Sequence, residues 1–588
     1  MSEKILVAVA WPYASASIHV GNMAGADLPP DIYARYQRLR GNDVLMVSGS
    51  DSHGTPITVR ADQEGLPPRK VFERFHAEFL ETFQKMGLTY DLFTHTDTEN
   101  HHRVAQALFV RLLENGYLYA QTEDHLYSVA EGRFLPDRYV EGTCPHCGYD
   151  GARGDQCENC GKLLNATELI NPRSRTDGSA PEVRQTTHYF LDLPALGDRL
   201  VAWLDEGKEH WRPNVINFAR NMARDLQGRP ITRDLAWGIP VPVEGWEGKC
   251  LYVWFEAVIG YLSAAVEWAR NVGQPDRWQE WWYNPAARTV YFIGKDNIPF
   301  HTIIWPAILI GAGHLYEEDG GQQLNLPYDV PANEFLNMES RKVSGSRGWA
   351  VWVPDFLSRY DADALRYYLT ANAPESRDTD FTWEEFVRRN NDELVATWGN
   401  LAHRVLSFAY RRFDKRVPEP GVLDEADQAL LRQIEGGFEP IGALIDSCKF
   451  RAALGEAMAM AREVNRYLDG KAPWFQIKED QATAATSVYV AMRAIDSLKI
   501  LFAPFLPFSS QALHEMLGYG GSLFGRQYVA TFEEGTRSHQ ALCYDASALT
   551  ERWEPGQLPP GQLLRQPRPL FVKLDESVVE EELARMRR

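Results

Sequence analysis

The chain has 588 residues and a mass of 66.8 kDa, a length that accommodates about three to five domains. Hydrophobic residues make up 44% and charged residues 24%, close to globular averages, which excludes a mainly disordered protein. The 61 Lys and Arg against 80 Asp and Glu give a net charge of −19, so any contact with nucleic acid is expected at a local basic patch.

The N-terminal pattern is typical of a doubly wound α/β domain. Residues 5–10 form an apolar run suited to a strand buried on both faces, and residues 43–47 predict a second strand. The helix between them is predicted to break at Pro29 and Pro30, because proline lacks the backbone donor. Polar residues 48–56 follow the second strand, at the sheet edge where such folds bind ligands.

Four of the seven cysteines form two Cys-x-x-Cys pairs, Cys144 with Cys147 and Cys157 with Cys160. Four thiolates at this spacing favour a closed tetrahedral Zn²⁺ site with a structural role. Redox-active dithiols and an iron–sulfur cluster are the alternatives. The remaining cysteines are too few for a disulfide scaffold, so the pattern indicates a metal-binding insertion in a reducing compartment.

After the insertion the α/β pattern resumes, and the chain then becomes helical. The α/β pattern is recognised at 252–254 and again at 289–294, and a helical period runs from about residue 363 to 517. A proline-rich stretch leads to a short charged helix at the end. The longest apolar run, residues 298–313, contains a histidine and two prolines and is too short to cross a membrane. We therefore expect a soluble, cytoplasmic protein.

Two loops carry residues suited to a nucleotide. Residues 19–22, His-Val-Gly-Asn, lie at a predicted helix start, where a glycine admits a phosphate and the helix amides attract the anion. Residues 342–348 form a polar loop with two cations, Lys342 and Arg347, which suit the charge that develops on an α-phosphate. Taken alone, the first loop fits an N-cap and the second a solvated loop.

Together the two loops resemble the signatures of class I aminoacyl-tRNA synthetases, usually written HIGH and KMSKS. Four further motifs strengthen the match: Ala-Trp-Pro-Tyr at 10–13, Ser-Asp-Ser-His-Gly-Thr-Pro at 50–56, Tyr-Val-Trp-Phe-Glu-Ala-Val-Ile-Gly-Tyr at 252–261, and Phe-Ile-Gly-Lys-Asp-Asn-Ile-Pro-Phe-His at 292–301. With the four-cysteine insertion, residues 4–515 resemble the methionyl-tRNA synthetase family.

This resemblance implies an α/β fold in which a Rossmann-type parallel sheet is split by a zinc-knuckle insertion and followed by an α-helical bundle that binds the anticodon. The implied divisions are residues 1–116 for the first catalytic half, 117–224 for the insertion with its knuckle at 141–162, 225–340 for the second catalytic half, 341–386 for the KMSKS-like loop and linking region, 387–550 for the helical anticodon-binding domain, and 551–588 for the tail.

The resemblance also implies an amino-acid site in which Asp51 faces the α-amino group of methionine. The residues implied around the side chain are Trp11, Tyr13, Trp254, Ala257, Ile259, Tyr261, Phe300 and His301. An aromatic pocket suits a polarizable thioether, and Tyr261 and His301 are each expected to offer a weak hydrogen bond to sulfur. Ordinary core packing is the alternative for these aromatic residues.

For ATP, the resemblance implies a site made by His19, Gly21, Asn22, Gly294, Lys295, Asp296, Lys342 and Ser344. The implied catalytic residues are His19, Lys342 and Arg347. Two positions depart from the family pattern: Asn22 stands where histidine is usual, and Gly345 where a second lysine is usual. Losing one well-placed cation lowers a rate by about 10²–10³-fold, unless another cation such as Arg347 replaces it.

A basic helix face is the candidate RNA contact. Between residues 388 and 416, seven Lys and Arg stand against three Asp and Glu, and the helical period aligns Asn400, Arg404 and Arg411 on one stripe. The stripe alone fits a solvated surface. The resemblance implies that Asn400 and Arg404 read the anticodon and that Trp474 is the platform on which a base stacks.

The implied activity is that of a methionine-tRNA ligase, which activates methionine with ATP and transfers it to the 3′ end of initiator and elongator methionine tRNA. Mg²⁺ is expected with ATP, one Zn²⁺ in the knuckle, and a monomeric state. Two alternatives stay open: a synthetase-like paralogue that adenylates an amino acid without charging tRNA, and an RNA-binding protein with a decayed active site.

Overall fold

The computed structural model describes residues 2–136, 139–154, 157, 159–160, 164–341, 349–535 and 537–586. The first part of the chain alternates buried apolar strands with amphipathic helices. Its elements are β1 (Lys4–Val9), α1 (Val20–Asn22), α2 (Leu28–Leu39), β2 (Asp43–Ser50), α3 (Thr55–Glu64), α4 (Pro68–Met86), β3 (Leu92–His95) and α5 (Glu99–Glu114).

An insertion of mostly antiparallel strands follows, in which the long strands β4 and β9 pair with each other and β7, β6 and β8 form a small separate sheet. The insertion contains β4 (Leu118–Ser128), β5 (Arg133–Phe134), β6 (Val140–Thr143), β7 (Ala152–Arg153), β8 (Ile170–Ser174), β9 (Glu182–Leu191), α6 (Leu193–Asp205) and α7 (Pro213–Met222). The resumed α/β part contains β10 (Arg229–Pro230), β11 (Thr232–Arg233), β12 (Cys250–Leu251), α8 (Val253–Asn271), α9 (Gln279–Trp282), β13 (Arg288–Gly294), α10 (Trp305–Ala312), β14 (Ala332–Asn333) and β15 (Leu336–Met338).

The centre of the catalytic sheet consists of five parallel strands in the order β14-β13-β1-β2-β3. The strand order reverses between β1 and β13, so the crevice at their carboxyl ends is the switch point at which open α/β sheets bind ligands. The loops that follow β1, β2 and β13 all reach this edge. The Rossmann-type sheet predicted from the sequence is therefore confirmed.

The helix after β1 is not interrupted at Pro29 and Pro30, contrary to the sequence-based prediction. The chain passes from α1 through a π-helical segment, Met23–Asp27, directly into α2. Both prolines lie in the first turn of α2, where their fixed φ suits the helix. They donate no hydrogen bond to the preceding π-helical turn, and the Asn333 amide donates to the Gly25 carbonyl there at 2.9 Å. Burial of the whole of α2 holds this geometry in place.

A helical region follows the catalytic part, which confirms the prediction for residues 363–517. Its elements are α11 (Val353–Leu357), α12 (Ala362–Ala371), β16 (Thr379–Phe381), α13 (Trp383–Arg389), α14 (Asn400–Arg412), α15 (Glu425–Glu435), α16 (Phe438–Asp446), α17 (Phe450–Lys471), α18 (Pro473–Gln476), α19 (Gln481–Phe502) and α20 (Pro507–Met516), with a π-helical segment, Asn390–Gly399, joining α13 to α14.

A β-hairpin that the sequence analysis did not predict follows α20. Its strands, β17 (Arg526–Glu534) and β18 (Arg537–Asp545), lie within the range assigned to the helical domain, yet β18 pairs antiparallel with β3 and extends the catalytic sheet to seven strands. The tail then ends in α21 (Ser577–Met586). Among the helices of the described residues, none combines the length and apolar composition needed to cross a membrane.

Candidate active site and RNA-binding surface

A cavity of about 280 Å³ opens at the switch point between β1 and β13. Residues 10–12 line it after β1, and Gly294 and Asp296 line it after β13. Three residues of the first motif form another side of the cavity: His19, Gly21 and Asn22. The structure therefore brings together most of the residues expected to bind a nucleotide.

The first motif begins its helix through a reciprocal pair of hydrogen bonds. His19 Nδ1 accepts from the backbone N–H of Asn22 at 3.2 Å, and Asn22 Oδ1 accepts from the backbone N–H of His19 at 3.2 Å. Burial lowers the pKa of His19 to about 4, so the ring is neutral at pH 7 and accepts through Nδ1. Asn22 therefore caps the helix and also lines the cavity. The capping hydrogen bonds explain why an amide side chain suits this position.

Lys295 differs from the expectation, because it is engaged by two carboxylates. Its Nζ lies 2.7 Å from Glu334 and 2.7 Å from Asp378. Burial opposes the charged form, but the hydrogen bonds to Asp378 and Glu334 outweigh it and raise the pKa of Lys295. Glu334 is one of the described residues that line the cavity, whereas Lys295 does not line it.

The expected catalytic loop, with Lys342, Ser344, Gly345 and Arg347, lies outside the described residues. The chain that leads to it is fixed where β15 pairs in parallel with β16. Just beyond it, Trp352 forms a backbone bridge with His19. Described residues on both sides of 342–348, Leu336 before and Trp352 after, therefore lie near the first motif.

Backbone hydrogen bonds between the loops after β1 and β2 place Asp51 beside Tyr13. The Asp51 N–H donates to the Pro12 carbonyl at 2.8 Å, and the Ala14 N–H donates to the Asp51 carbonyl at 3.0 Å. The Asp51 carboxylate accepts from the backbone N–H of His53 at 3.1 Å, and it is only 3% exposed. No cationic side chain among the described residues forms an ion pair with it. Burial and the charge of Glu256 raise the pKa of Asp51 well above its usual range.

A buried network of histidines and carboxylates lies behind Asp51, and the sequence analysis assigned no role to its members. Glu256 Oε1 lies 2.8 Å from His53 Nδ1, and Glu256 Oε2 lies 2.7 Å from His101 Nε2. Burial favours neutral His53, but Glu256 and Asp97 outweigh that effect and raise its pKa to about 10. The motif at 252–261 contains Glu256, but nothing local in the sequence identifies its partners.

The aromatic residues expected around methionine lie together on α8 and in the loops facing it. The Trp254 and Phe300 rings stack with centroids 4.3 Å apart, and Tyr13 meets Trp254 edge-on at 6.1 Å. Ala257 and Ile259 lie three and five residues after Trp254 on α8, half-buried and buried respectively. Ring contacts join Tyr13, Trp254 and Phe300 in one group and Tyr261 and His301 in a second; these five rings are called the aromatic cluster.

Tyr261 and His301 form a hydrogen-bonded pair that uses both of their protons. His301 Nδ1 lies 3.0 Å from the Asn297 carbonyl oxygen, which only accepts, so Nδ1 carries the proton. Burial lowers the pKa of His301 to about 4, so Nε2 is unprotonated and accepts from the Tyr261 hydroxyl at 2.6 Å. This geometry corrects the expectation that both groups donate to a thioether sulfur.

Trp11 separates the cavity from the aromatic cluster and is held between two glycines. A Cβ added at Gly260 would lie 2.6 Å from Trp11 Cε2, and one added at Gly49 would overlap the ring. The indole meets Tyr261 edge-on at 6.5 Å. Its buried Nε1 has no hydrogen-bond partner among the described residues.

A second cavity, of about 230 Å³, lies between the catalytic sheet and the insertion. Tyr13 and Trp254 line one side of it, and His188 of β9 lines the other. Arg233, which the sequence analysis did not select, also reaches this cavity, and its guanidinium lies 3.9 Å from the centre of the Tyr252 ring. Arg233 is therefore a candidate ligand contact that no recognised sequence motif identified.

The four predicted metal ligands converge at the end of the small β7-β6-β8 sheet. The Sγ atoms of Cys144 and Cys160 are 3.9 Å apart and those of Cys147 and Cys157 are 3.6 Å apart, and all four lie within 4.8 Å of one another. Tetrahedral zinc with bonds of about 2.3 Å requires sulfur atoms about 3.8 Å apart. Hydrogen bonding, chiefly from the backbone at Tyr149, lowers the pKa of Cys147 to about 6. This site is able to hold a metal ion.

Two of the three predicted RNA-contacting residues touch each other. The Arg404 guanidinium lies 4.6 Å from the centre of the Trp474 ring, within the range of a cation–π contact. An Arg404 N–H also donates to Asn465 Oδ1 at 3.3 Å. Asn400 is exposed one turn earlier on α14, so the three residues share one surface.

Comparison with known proteins places this geometry in a family. Residues 5–406 match the family described as tRNA synthetases class I (M), and residues 417–541 match the anticodon binding domain of methionyl tRNA ligase. The methionine–tRNA ligase of Thermomicrobium roseum is 59% identical over 589 residues, covering 100% of this chain and 99% of that protein. The chain belongs to the methionyl-tRNA synthetase family. The Chloroflexus aggregans ligase, 56% identical, has the same coverage.

Solved structures of methionyl-tRNA synthetases have the same fold. The Mycobacterium tuberculosis enzyme in complex with methionyl-adenylate aligns with a TM-score of 0.75 at 26% identity, covering 97% of this chain and 100% of that chain. Family membership makes this protein an aminoacyl-tRNA synthetase, a ligase, and confirms the resemblance inferred from the motifs. The anticodon-domain match includes most of the β17–β18 hairpin, although this hairpin lies in the catalytic sheet.

Proposed function

We propose that this protein is a methionine–tRNA ligase that joins methionine to ATP as methionyl-adenylate and transfers the methionyl group to the 3′ end of initiator and elongator methionine tRNA. The observation that carries the proposal is Asp51, a buried carboxylate without a cationic side-chain partner among the described residues, placed beside an aromatic cluster at the switch point. An α-ammonium group supplies the missing charge, and an uncharged polarizable side chain suits the aromatic rings.

The amino-acid site has a polar end and an apolar end. Asp51 receives the α-ammonium group, and the carboxylate of the substrate points toward the cavity beyond Trp11. The residues that enclose the side chain are Trp11, Tyr13, Trp254, Ala257, Ile259, Tyr261, Phe300 and His301. Because Tyr261 and His301 satisfy each other, selection among apolar side chains rests on shape and on contact between sulfur and the rings.

The cavity at the switch point receives ATP, whose α-phosphorus is attacked by the methionine carboxylate with loss of pyrophosphate. The residues proposed around the nucleotide are His19, Gly21, Asn22, Gly294, Asp296, Lys342 and Ser344, with Lys295 alongside, held by Glu334 and Asp378. Lys342 and Arg347 stabilise the charge that develops at the α-phosphate, and His19 holds the helix start beside it. Mg²⁺ bound to ATP would shield the phosphate charges. Catalysis then depends on positioning the methionine carboxylate against ATP, and no protein side chain acts as a covalent nucleophile.

The metal that the four cysteines hold is proposed to be one structural Zn²⁺. Zinc is bound in closed tetrahedral sites by thiolates, and such sites stabilise small folds that have little core of their own. The sulfur separations and the lowered pKa of Cys147 support this assignment. The metal-bearing sheet has only a small core, around Val140 and Leu169, and two of the cysteines, Cys144 and Cys157, belong to it.

The proposed anticodon surface consists of Asn400, Arg404 and Trp474. Unstacked bases are recognised by stacking on aromatic rings and by hydrogen bonds to their edges, and these residues offer one ring, one guanidinium and one amide on an exposed face. The divisions proposed for the chain stay those predicted from the sequence, with residues 387–550 as the anticodon-binding part. The monomeric state and the cytoplasmic location also stay predictions.

The experiment that tests the function compares methionine-dependent ATP–pyrophosphate exchange with charging of methionine tRNA. The purified protein is expected to perform both, whereas exchange without charging would favour the synthetase-like paralogue and neither would favour a decayed site. Arg404→Ala and Trp474→Ala are expected to lower charging by about 10–100-fold and to leave exchange unchanged, because the adenylate forms without the anticodon. Arg412→Ala, also exposed on α14, is the control.

A second experiment addresses the loop around Gly345. Lys342→Ala is expected to lower the adenylation rate by about 10²-fold with little change in methionine affinity, because the contact acts mainly in the transition state. Gly345→Lys is expected to leave the rate unchanged or lower, since Arg347 already supplies a cation nearby. Unaltered exchange by Lys342→Ala would contradict a catalytic role for this loop.

A further inference from the structure

The β17–β18 hairpin lies beyond the helical region in the chain, yet it joins the catalytic sheet. It follows α20 of the helical region, and β18 lies against β3 with Leu542 opposite Phe93. β3 is in turn the neighbour of β2, whose carboxyl end leads into Asp51. The strand ends at Glu534 and Arg537 therefore reach the region directly behind the amino-acid site.

At the end of β17, Glu534 binds the N-terminus of α5. Its two carboxylate oxygens accept from the backbone N–H groups of Glu99 at 2.8 Å and of Asn100 at 3.2 Å. Thr98 accepts from the next free N–H, that of His101, at 3.0 Å. A helix begins with N–H groups that have no partner within the helix, so a carboxylate 435 residues away in the chain completes the start of α5. Glu534 is 7% exposed.

The start of α5 carries the histidine that holds Glu256. His101 bonds Glu256 Oε2 at 2.7 Å through Nε2 and Ser263 Oγ at 2.7 Å through Nδ1. The other oxygen of Glu256 lies 2.8 Å from His53, whose backbone N–H donates to the Asp51 carboxylate. Hydrogen bonds of 2.7–3.2 Å, joined covalently between Asn100 and His101 and through His53 itself, therefore connect Glu534 to Asp51.

Further contacts fix the hairpin to the same region. Arg270 of α8 forms an ion pair with Glu534 at 2.9 Å, and His539 Nε2 lies 3.0 Å from Glu267, also on α8. His76 Nε2 lies 2.8 Å from the Gln540 carbonyl oxygen, and the opposite ring nitrogen lies 2.8 Å from Ser50 Oγ. The hairpin is thus bound to α5, to α8 and to the strand end before Asp51. These are the elements that carry the amino-acid site.

We propose that Glu534 is a positioning residue for amino-acid binding: by holding the start of α5, it fixes His101, Glu256 and His53 in the arrangement that orients Asp51. This inference rests on the proposed function of the Asp51 site. The effect of losing Glu534 should be confined to methionine binding, because the nucleotide cavity lies on the other side of β1. A Glu534 variant should therefore bind methionine more weakly and bind ATP as well as before.

The test is steady-state pyrophosphate exchange by the full-length protein with varied methionine and varied ATP. Glu534→Ala is expected to raise the KM for methionine about tenfold, the range for a lost hydrogen bond to a charged group, with the KM for ATP unchanged. Glu534→Gln keeps the shape and one acceptor oxygen and is expected to show a smaller rise in the same KM. Glu533→Ala alters the adjacent exposed carboxylate and is expected to match wild type.

Three results would overturn the proposal, and they are distinguishable. In the first, kcat falls only as much as the fraction of folded protein falls, and the KM for methionine is unchanged in both Glu534 variants. That result would make Glu534 merely structural. Equal changes in the KM for methionine and for ATP would exclude a specific effect on Asp51. Absence of methionine-dependent exchange in the wild-type protein would refute the proposed function itself, and this inference with it.

Discussion

Replacing Gly260 by alanine should push Trp11 out of its place between the cavity and the aromatic cluster. Gly260 is buried within α8, and an added Cβ would lie 2.6 Å from both Trp11 Cε2 and Trp11 Cζ2. Normal carbon contacts lie at about 3.5–4.0 Å, so the ring would have to retreat by about 1 Å. Gly49 blocks that retreat, because the ring already occupies the space where its Cβ would stand.

The cost of this change follows from overpacking in a site that cannot expand. Extra methyl groups in packed interiors destabilise by about 1–3 kcal/mol, which offsets the gain of up to about 1 kcal/mol that alanine normally brings over glycine in a helix. The indole lines the cavity, so a displaced ring is expected to move into it. We therefore expect a net loss of stability together with weaker binding of the amino acid.

The assay compares thermal unfolding and the KM for methionine in Gly260→Ala and Gly455→Ala. Gly455 lies within α17, and nothing stands within 4 Å of a Cβ added there. The same substitution should therefore raise the unfolding temperature at position 455 and lower it at position 260. An unchanged unfolding temperature and an unchanged KM in Gly260→Ala would refute the claim that two glycines confine Trp11.

Other predictions address the metal, the polar pair and the buried histidines. Cys157→Ser should abolish the zinc found by elemental analysis, with Cys250→Ser retaining it. Tyr261→Phe should cost about 1–3 kcal/mol by leaving His301 Nε2 buried without a donor, yet leave discrimination between methionine and leucine unchanged; lost discrimination would restore a direct role for the hydroxyl. Burial lowers the pKa of both His76 and His301 to about 4. The unfolded state takes up protons near pH 6.5, so the free energy of unfolding should fall as pH drops from 6.5 to 4, by about 1.4 kcal/mol per pH unit for each. His76→Gln should flatten this slope in denaturant titrations, and an identical slope would contradict it.

The strands that position the site were predictable because each is encoded locally. β1 and β13 are contiguous apolar runs, and Asp51 and Gly294 lie at or just beyond strand ends where a parallel sheet exposes its ligand site. The metal ligands were likewise evident from spacing alone, since two short pairs suffice to define four thiolates. In these cases the sequence neighbours of a residue determine its surroundings.

The contacts that tune the site were not predictable, because they join distant parts of the chain. His53 and Glu256 are 203 residues apart and Tyr261 and His301 are 40 apart, so no local pattern shows that each pair shares a proton. The β17–β18 hairpin itself has a local signal, since its strands are rich in aromatic and β-branched residues and a glycine stands at 535. Its place in the catalytic sheet has none, because β18 pairs with β3 from the other end of the chain.

The charges buried around the amino-acid site explain why Asp51 differs from its neighbours. Asp97 is paired with Arg69 at 2.7 Å, and Glu256 is held between two histidines. Each of these carboxylates has a cationic or hydrogen-bonding side chain of its own, whereas Asp51 receives a backbone N–H and has a raised pKa. Its ionised form is therefore favoured when a ligand brings a positive charge. Under the proposed function, binding of an ammonium group and ionisation of Asp51 are coupled, and this coupling would let this end of the site select for an amino acid. The aromatic cluster must then select which one.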